Sequence, residues 1–296
     1  MMAQRWPFRF AAHLGIRSTD TPLFLHSAGS ADPVVQIGFA AAIGFAGIED
    51  NGLMTRPLQE QQRISVALSE HGLVLNSFVC GSQPGAWIYW GRNDDASRAH
   101  QRNQLETAIA TAKRVRGRII SLASGLDETL GREKQLDAMA SNLRRLVGLA
   151  EDAGVILALE HISARRVPGL LLRYIDDSLR IIDAVNNPAL GLVFDTHHVT
   201  EQDGNLMTAW QRARKNAYVV QLADHPERHE PGSENIDFPA FLAELHASGY
   251  DGMIEIECMP SQPGSAGEQA MLDTLHRISQ QAAGFPVSPS LPAPKR

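Results

Sequence analysis

Residues 136–163 read LDAMASNLRRLVGLAEDAGVILALEHIS, and this stretch contains the unit from which the fold is built. Leu136, Met139, Leu143, Leu146, Val147 and Ala150 recur at spacings of three and four, so they line one face of a helix. Gly154 stands where such a helix stops, at a position that suits a left-handed residue. The segment VILALE that follows is nearly continuously apolar and does not alternate, the pattern of a strand covered on both faces. Helix, glycine stop and doubly covered strand make one unit of a parallel α/β structure.

The same unit recurs in both directions along the chain. Strands are predicted in RFAAHLGI (9–16), FAGIED (45–50), LVLNSFVCG (73–81), GRIISLASG (117–125), GVILALEHIS (154–163), LGLVFDTHH (190–198), AYVVQLAD (217–224) and GMIEIEC (252–258), with Gly72 and Gly117 as further stops. Eight strands alternating with helices predict a single (β/α)8 TIM barrel over 1–283, with the Pro-rich GFPVSPSLPAPKR (284–296) as an extended tail outside it. A dinucleotide-binding sheet would need GxGxxG after its first strand, and HLGIRSTDTP has none.

Composition narrows the function. With 44% hydrophobic residues the chain can bury a large core, and a net charge of −6 without any basic run argues against a nucleic-acid partner. Two cysteines make no disulfide scaffold, and no apolar run approaches the roughly 20 residues that span a bilayer. The start MMAQRWPFRFAAHLGI lacks an apolar segment with a small-residue cleavage site, so the mature chain is expected to begin near Met1, in the cytoplasm.

In such a barrel the chemistry lies at the C-terminal ends of the strands. The last four strands each end in an oxygen donor: Glu160, Asp195, Gln221 and Glu257, successive members about one βα unit apart. Carboxylates gathered this closely repel one another unless a cation lies between them. All-oxygen donors favour a hard ion, Mg2+ or Mn2+. Cys258 points to the opposite face from Glu257 and is expected to pack in the core, whereas Glu255 shares the face of Glu257, which lies nearer the mouth.

The segments LALEHIS, VFDTHH, VVQLADHPERHEPGSENIDF and GYDGMIEIEC, in this order and spacing, resemble the hydroxypyruvate isomerase branch of the xylose isomerase-like barrels, a superfamily that also holds ketose 3-epimerases and inosose dehydratases. The resemblance is most specific in QLAD, RHEPGS and the acidic residue before I-D-F, and clear over about 154–260. It implies a metal held by Glu160, Asp195, Gln221 and Glu257, with Glu160 and Glu257 doubling as acid and base. Gln at the third position differs from the His usual in the epimerase branch. The segment STDTPLFLHSAGSADP and the aromatic loop CGSQPGAWIYWGRND depart from the family's usual loops.

The expected reaction removes a proton beside a carbonyl of a small keto-sugar or keto-acid and returns one to the neighbouring carbon through an enediolate. Epimerisation and dehydration begin with the same deprotonation and stay open, as does a barrel that binds a sugar or polyol through its metal without turnover. His198 is placed to hydrogen-bond a substrate oxygen, and Arg228 to pair with the substrate's anionic or oxygen-rich end, remote from the metal. Glu230 is a candidate to orient Arg228 or a neighbouring histidine. His161 is expected to face away from the site. Trp87, with Tyr89 and Trp90, is a candidate wall, and Glu49 and His13 are candidate substrate contacts. Lys113, Lys134, Lys215 and Lys295 all fall on helices or in the tail, which leaves no Schiff-base lysine, and no GxSxG elbow occurs. A homo-oligomer is the expected assembly.

Overall fold

The computed structural model describes residues 6–81 and 84–284. Among these, parallel strands β1 (Phe10–His13), β2 (Gly47–Glu49), β3 (Val74–Leu75), β4 (Ser77–Val79), β5 (Ile119–Leu122), β6 (Ile156–Glu160), β7 (Leu190–Asp195), β8 (Ala217–Leu222) and β9 (Ile254–Ile256) form one sheet in the order β3-β2-β1-β9-β8-β7-β6-β5-β4. Its two end strands are consecutive in the chain and separated by Asn76 alone, so the ring closes through the backbone. The strand expected over 73–81 is thus two segments, one pairing with β2 and the other with β5. The break occurs where the Asn76 side chain turns to Glu255, donating to its Oε1 at 2.7 Å.

Helices α1 (Pro33–Ala42), α2 (Leu58–His71), α3 (Asp95–Val115), α4 (Arg132–Ala153), α5 (Ile175–Val185), α6 (Thr196–Gln202), α7 (Leu206–Ala213), α8 (Phe238–Ala247) and α9 (Gly264–Ala283) complete the barrel. The α4 stripe read from the sequence is buried along its length, and Gly154 ends the helix at φ 67°, its N–H directed to Ala150 O and Glu151 O. Leu157, Leu159, Leu192, Phe194, Val220 and Leu222 share one core cluster with the helix side chains. Ala158, Val193 and Val219 form a separate small cluster. Side chains alternate along a strand, so the face of Ala158, Val193 and Val219 is also that of Glu160, Asp195 and Gln221. Apolar residues thus fill the lower barrel and polar ones its C-terminal end.

The strand expected to reach His198 stops at Asp195. Its Oδ1 accepts the N–H groups of His197 (2.8 Å) and His198 (3.1 Å), which caps α6 at once. From residue 285 onward the Pro-rich tail lies outside the described residues, and among those described no helix is long and apolar enough to cross a membrane.

Candidate active site

Strand register brings the donors together. Asp195 lies beside Gln221, and Gln221 beside Glu255. Above them is a cavity of about 520 Å³ whose lining includes Glu160, His198, Arg228, Glu257 and Asn51. Asp195, Gln221 and Glu255 do not line it and are almost fully buried. Glu257 is therefore the member of its pair that faces the mouth, while Cys258 packs in the core with its Sγ 3.9 Å from Met271 Sδ.

Each carboxyl group is held differently. Ser121 Oγ donates to Glu160 Oε2 at 2.7 Å, and Glu160 Oε1 has no hydrogen bond among the described residues. Glu257 is held at both oxygens, by Asn51 Nδ2 at 3.1 Å and by Arg228 Nη2 at 2.8 Å. The same Arg228 nitrogen donates to Asp195 Oδ2 at 2.8 Å, and Arg228 Nη1 lies 3.2 Å from His198 Nε2. Glu255 accepts from Asn76, Ser77 and Gln221.

The loop after β8 explains how Arg228 reaches this place. The Asp224 carboxylate accepts the backbone N–H groups of His225, Gly232, Glu234, Asn235 and Ile236, which gathers the loop around one anion. Arg228 sits in the left-handed region at φ 67°, a conformation rare outside glycine and asparagine that persists only where the surroundings enforce it. Its side chain is thereby driven inward.

Burial dominates the electrostatics. It pushes Glu160 up to about 7, against the Ser121 hydrogen bond and with added repulsion from Asp195. Burial likewise pushes Glu255 up to about 7 against the pull of its hydrogen-bond donors. Glu49 and Glu257 are raised well above the carboxylate range, first by burial and then by neighbouring carboxylates, Arg228 opposing in both cases. Asp195 is the exception: burial would raise it, but Arg228 and then His198 outweigh that and hold it below its usual range. Burial also lowers His198 well below the ordinary imidazole value, so its ring is neutral at pH 7 and Nε2 can accept from Arg228. Five buried carboxyl groups thus share one guanidinium.

Several expected contacts fall elsewhere. Arg228, expected to sit remote from the metal donors, bridges two of them. Glu230 does not orient it, because both its oxygens are taken by Ser261, Oε2 by the N–H (2.6 Å) and Oε1 by the hydroxyl (2.7 Å), tying the loop to the segment after β9. Glu49 is fully buried below the cavity, within 3.3 Å of Gln221 Nε2, and His13 is held between Cys258 O (3.0 Å) and Gly15 N (3.1 Å); neither lines the cavity. Trp90 is a core residue donating to Gln104 Oε1, Tyr89 packs on His100, and the side chain of Trp87 lies outside the described residues. His161 is buried beside Asp203, away from the cavity, as its place after Glu160 predicts. Ser121, Asn51 and Asn76 carry weaker signals: Ser121 is a lone polar residue within an apolar strand, Asn76 opens a polar pair in one, and Asn51 follows the acidic end of another.

The residues fit a divalent cation. Donor atoms of Glu160, Asp195 and His198 lie within 4.8 Å of one another, a span that one ion can bridge. Gln221 Oε1 is buried without a hydrogen-bond partner among the described residues. The excess of buried carboxyl groups over cations supplies the electrostatic demand.

Comparison with known proteins places these observations. The sequence model of a family described as "Xylose isomerase-like TIM barrel" matches residues 37–278. Hydroxypyruvate isomerase of Escherichia coli (strain K12) is 26% identical over 247 residues, covering 81% of this chain and 92% of that protein. A 2-oxo-tetronate isomerase of Haemophilus influenzae is 26% identical over 228 residues, covering 75% and 85%. Among solved structures, an AP endonuclease, family 2, from Brucella melitensis superposes with a TM-score of 0.75 at 23% identity, over 90% of this chain and 98% of that one. The IOLI protein, whose structure carries a bound zinc atom, gives a TM-score of 0.71 at 16% identity over 94% and 100%. At such identities the two structures establish the fold alone.

Proposed function

Because the chain belongs to the xylose isomerase-like TIM barrel family, we propose that it is a divalent-metal-assisted isomerase of a small hydroxy-carbonyl compound, moving a proton between adjacent carbons through an enediolate. The observation that carries this reading is the Glu160 and Glu257 pair, two carboxyl groups facing one cavity, each raised above the usual carboxylate range by burial. The relatives named as isomerases support the reaction class, and the chain is an enzyme of the sugar isomerase and epimerase type.

The two glutamates are suited to opposite tasks. Burial raises Glu160 to about 7, and its Oε1 has no hydrogen bond among the described residues, so it can take a proton from the carbon beside the carbonyl. Glu257, fixed by Asn51 and Arg228 on the same cavity, is placed to return a proton to the neighbouring carbon. Arg228 restrains Asp195 and Glu257 together, and neutral His198 presents a ring to substrate oxygens without adding charge. Glu160 and Asp195, with His198, Gln221 and Glu257 around them, would hold the metal. When bound, the metal supplies a Lewis acid that polarises the carbonyl and stabilises the developing negative charge.

The test is proton NMR in deuterium oxide with hydroxypyruvate, 2-oxo-tetronates and neutral ketoses, with Mg2+ or Mn2+ present. Interconversion of carbonyl position with label at the reacting carbons is expected, and Glu160→Gln should lose about 10²-fold or more in turnover. Exchange confined to one carbon with inversion would instead make the protein an epimerase, and full activity in Glu160→Gln would remove the assigned base.

A further inference from the structure

The cavity is graded in charge from floor to mouth. Its floor presents Glu160, Glu257 and His198 together with an arginine whose Nη2 is already shared by two carboxylates. The lining of its more exposed rim includes Arg17, Ser18 and Thr19 from the loop after β1, and Arg166 from the segment after β6. The guanidinium groups of Arg17 and Arg166 make no hydrogen bond or ion pair among the described residues. Other arginines near strand ends are committed: Arg56 to Asp50, Arg92 to Asp127 and Arg132 to Asp177. Among the described residues the lining contains no acidic residue other than Glu160 and Glu257; Asp20, close in sequence to Arg17, is turned to Ser18 and is not part of it.

The loop is shaped to deliver Arg17 there. Gly15 has φ 129°, and a Cβ at that position would stand 2.1 Å from Ser18 O, so the chain doubles back tightly as only glycine allows. The whole turn 15–19 then lies against the cavity.

At the floor the carboxyl groups of Glu160 and Glu257 disfavour a second anionic group, and Arg228 is occupied there by Asp195 and Glu257. We propose that the substrate carries an anionic group at the end remote from its reacting carbons, a terminal carboxylate or phosphate, and that Arg17 and Arg166 bind it at the cavity mouth. This rests on the isomerase reading of the same site and deepens it: the substrate is an acidic or phosphorylated sugar, oriented with its hydroxy-carbonyl end down. Guanidinium forks match carboxylate and phosphate oxygens, and partly exposed arginines make the recognition sensitive to salt.

The experiment uses the full-length protein with Mn2+ and three matched substrate sets: neutral ketoses, ketoses ending in a carboxylate, and ketose phosphates. One anionic set should be preferred over the neutral set by about 10²-fold in kcat/KM, and which set it is identifies the anion. Arg17→Gln and Arg166→Gln should each raise KM for that set by roughly tenfold with a far smaller change in kcat, lysine substitutions recovering part of the loss. Arg165→Gln, exposed and outside the cavity lining, is the control. Calorimetry with an inert polyol phosphate and an aldonate, against the neutral polyol, reads the same preference without turnover. Anion binding that depends on both arginines in a protein with no isomerase activity would leave this proposal standing and remove the isomerase reading. Equal binding of neutral and anionic compounds, or anion binding indifferent to Arg17 and Arg166, would overturn the proposal.

Discussion

Gln221 has its orientation dictated by its neighbours. Its Nε2 lies 3.0 Å from Glu255 Oε2 and 3.3 Å from Glu49 Oε1, so the carbonyl oxygen is turned away from both. Glu255 therefore sets which end of the amide is left to accept from, or coordinate, something else. Replacing Glu255 by Leu strands two buried donors, those of Asn76 and Ser77, each costing about 1–3 kcal/mol when unpaired, and leaves Gln221 Nε2 with Glu49 alone. Removing a buried carboxyl group can also stabilise a protein, which offsets part of the cost of the two unpaired donors. Urea unfolding of Glu255→Leu should show a loss of roughly 3–5 kcal/mol, and Glu255→Gln a smaller one; an unchanged midpoint would mean that the cluster is not needed for stability. At this scale the sequence is legible where position and chemistry coincide. Glu160, Asp195, Gln221 and Glu257 stand at strand ends and converge. Glu49 ends a strand as well, yet falls below the cavity, because strand ends do not all reach the same height and only register decides it.

The loop between β8 and α8 and the junction of α5 with α6 show how elements carry the site. Asp224 organises its loop through backbone N–H groups, and no pattern in DHPERHEPGSENIDF separates this acid from the others around it. Asp224→Ala should cost about 2–4 kcal/mol, speed hydrogen exchange at Glu234, Asn235 and Ile236, and lower kcat/KM by releasing Arg228. Exchange unchanged at those amides would assign the loop's order to another cause. At the end of α6, Asp203 Oδ2 lies 3.7 Å from His161 Nε2, and neither nitrogen of His161 has a hydrogen bond among the described residues. Burial raises Asp203 to about 6 and lowers His161 to about 4, so near neutrality the pair is a carboxylate against a neutral ring. A carboxyl group whose folded pKa is raised binds its proton more tightly in the folded state. Its contribution to stability is therefore present at low pH and is lost as pH rises from about 4 through 6. Asp203→Asn can still accept from Ile175 N and can donate toward His161. It should gain about 1–2 kcal/mol over the wild type at pH 7, a value discounted for partial solvation, and little at pH 4. A difference that does not vary between these two pH values would dismiss the linkage.

Across the whole molecule, apolar and polar material are separated along the barrel axis, and stability and function are coupled through charge. The (β/α)8 architecture could be read from strands that are apolar on both faces, since burial on both sides leaves a continuous run. The split at Asn76 could not, since one polar residue in LVLNSFVCG does not mark a change of pairing partner. The inward path of Arg228 was equally hidden, because it depends on a loop folded around Asp224. That path puts the one guanidinium of the cluster against Asp195 and Glu257, where it offsets part of the carboxyl crowding. A divalent cation held by Glu160 and Asp195 would supply the rest, and binding to the folded state alone raises stability by about 2.7 kcal/mol at an ion concentration 100 times the Kd. Chelated protein titrated with Mn2+ should therefore rise in Tm by roughly 5–10 °C. Asp195→Ala should abolish that rise. Arg228→Gln leaves the buried carboxyl groups with no cation of their own, so its Tm without the ion should fall below the wild type and its gain with Mn2+ should be larger. Equal gains in wild type and Asp195→Ala would place the ion elsewhere, and an ion-free Arg228→Gln as stable as the wild type would mean that the carboxyl groups relieve their repulsion by protonation alone.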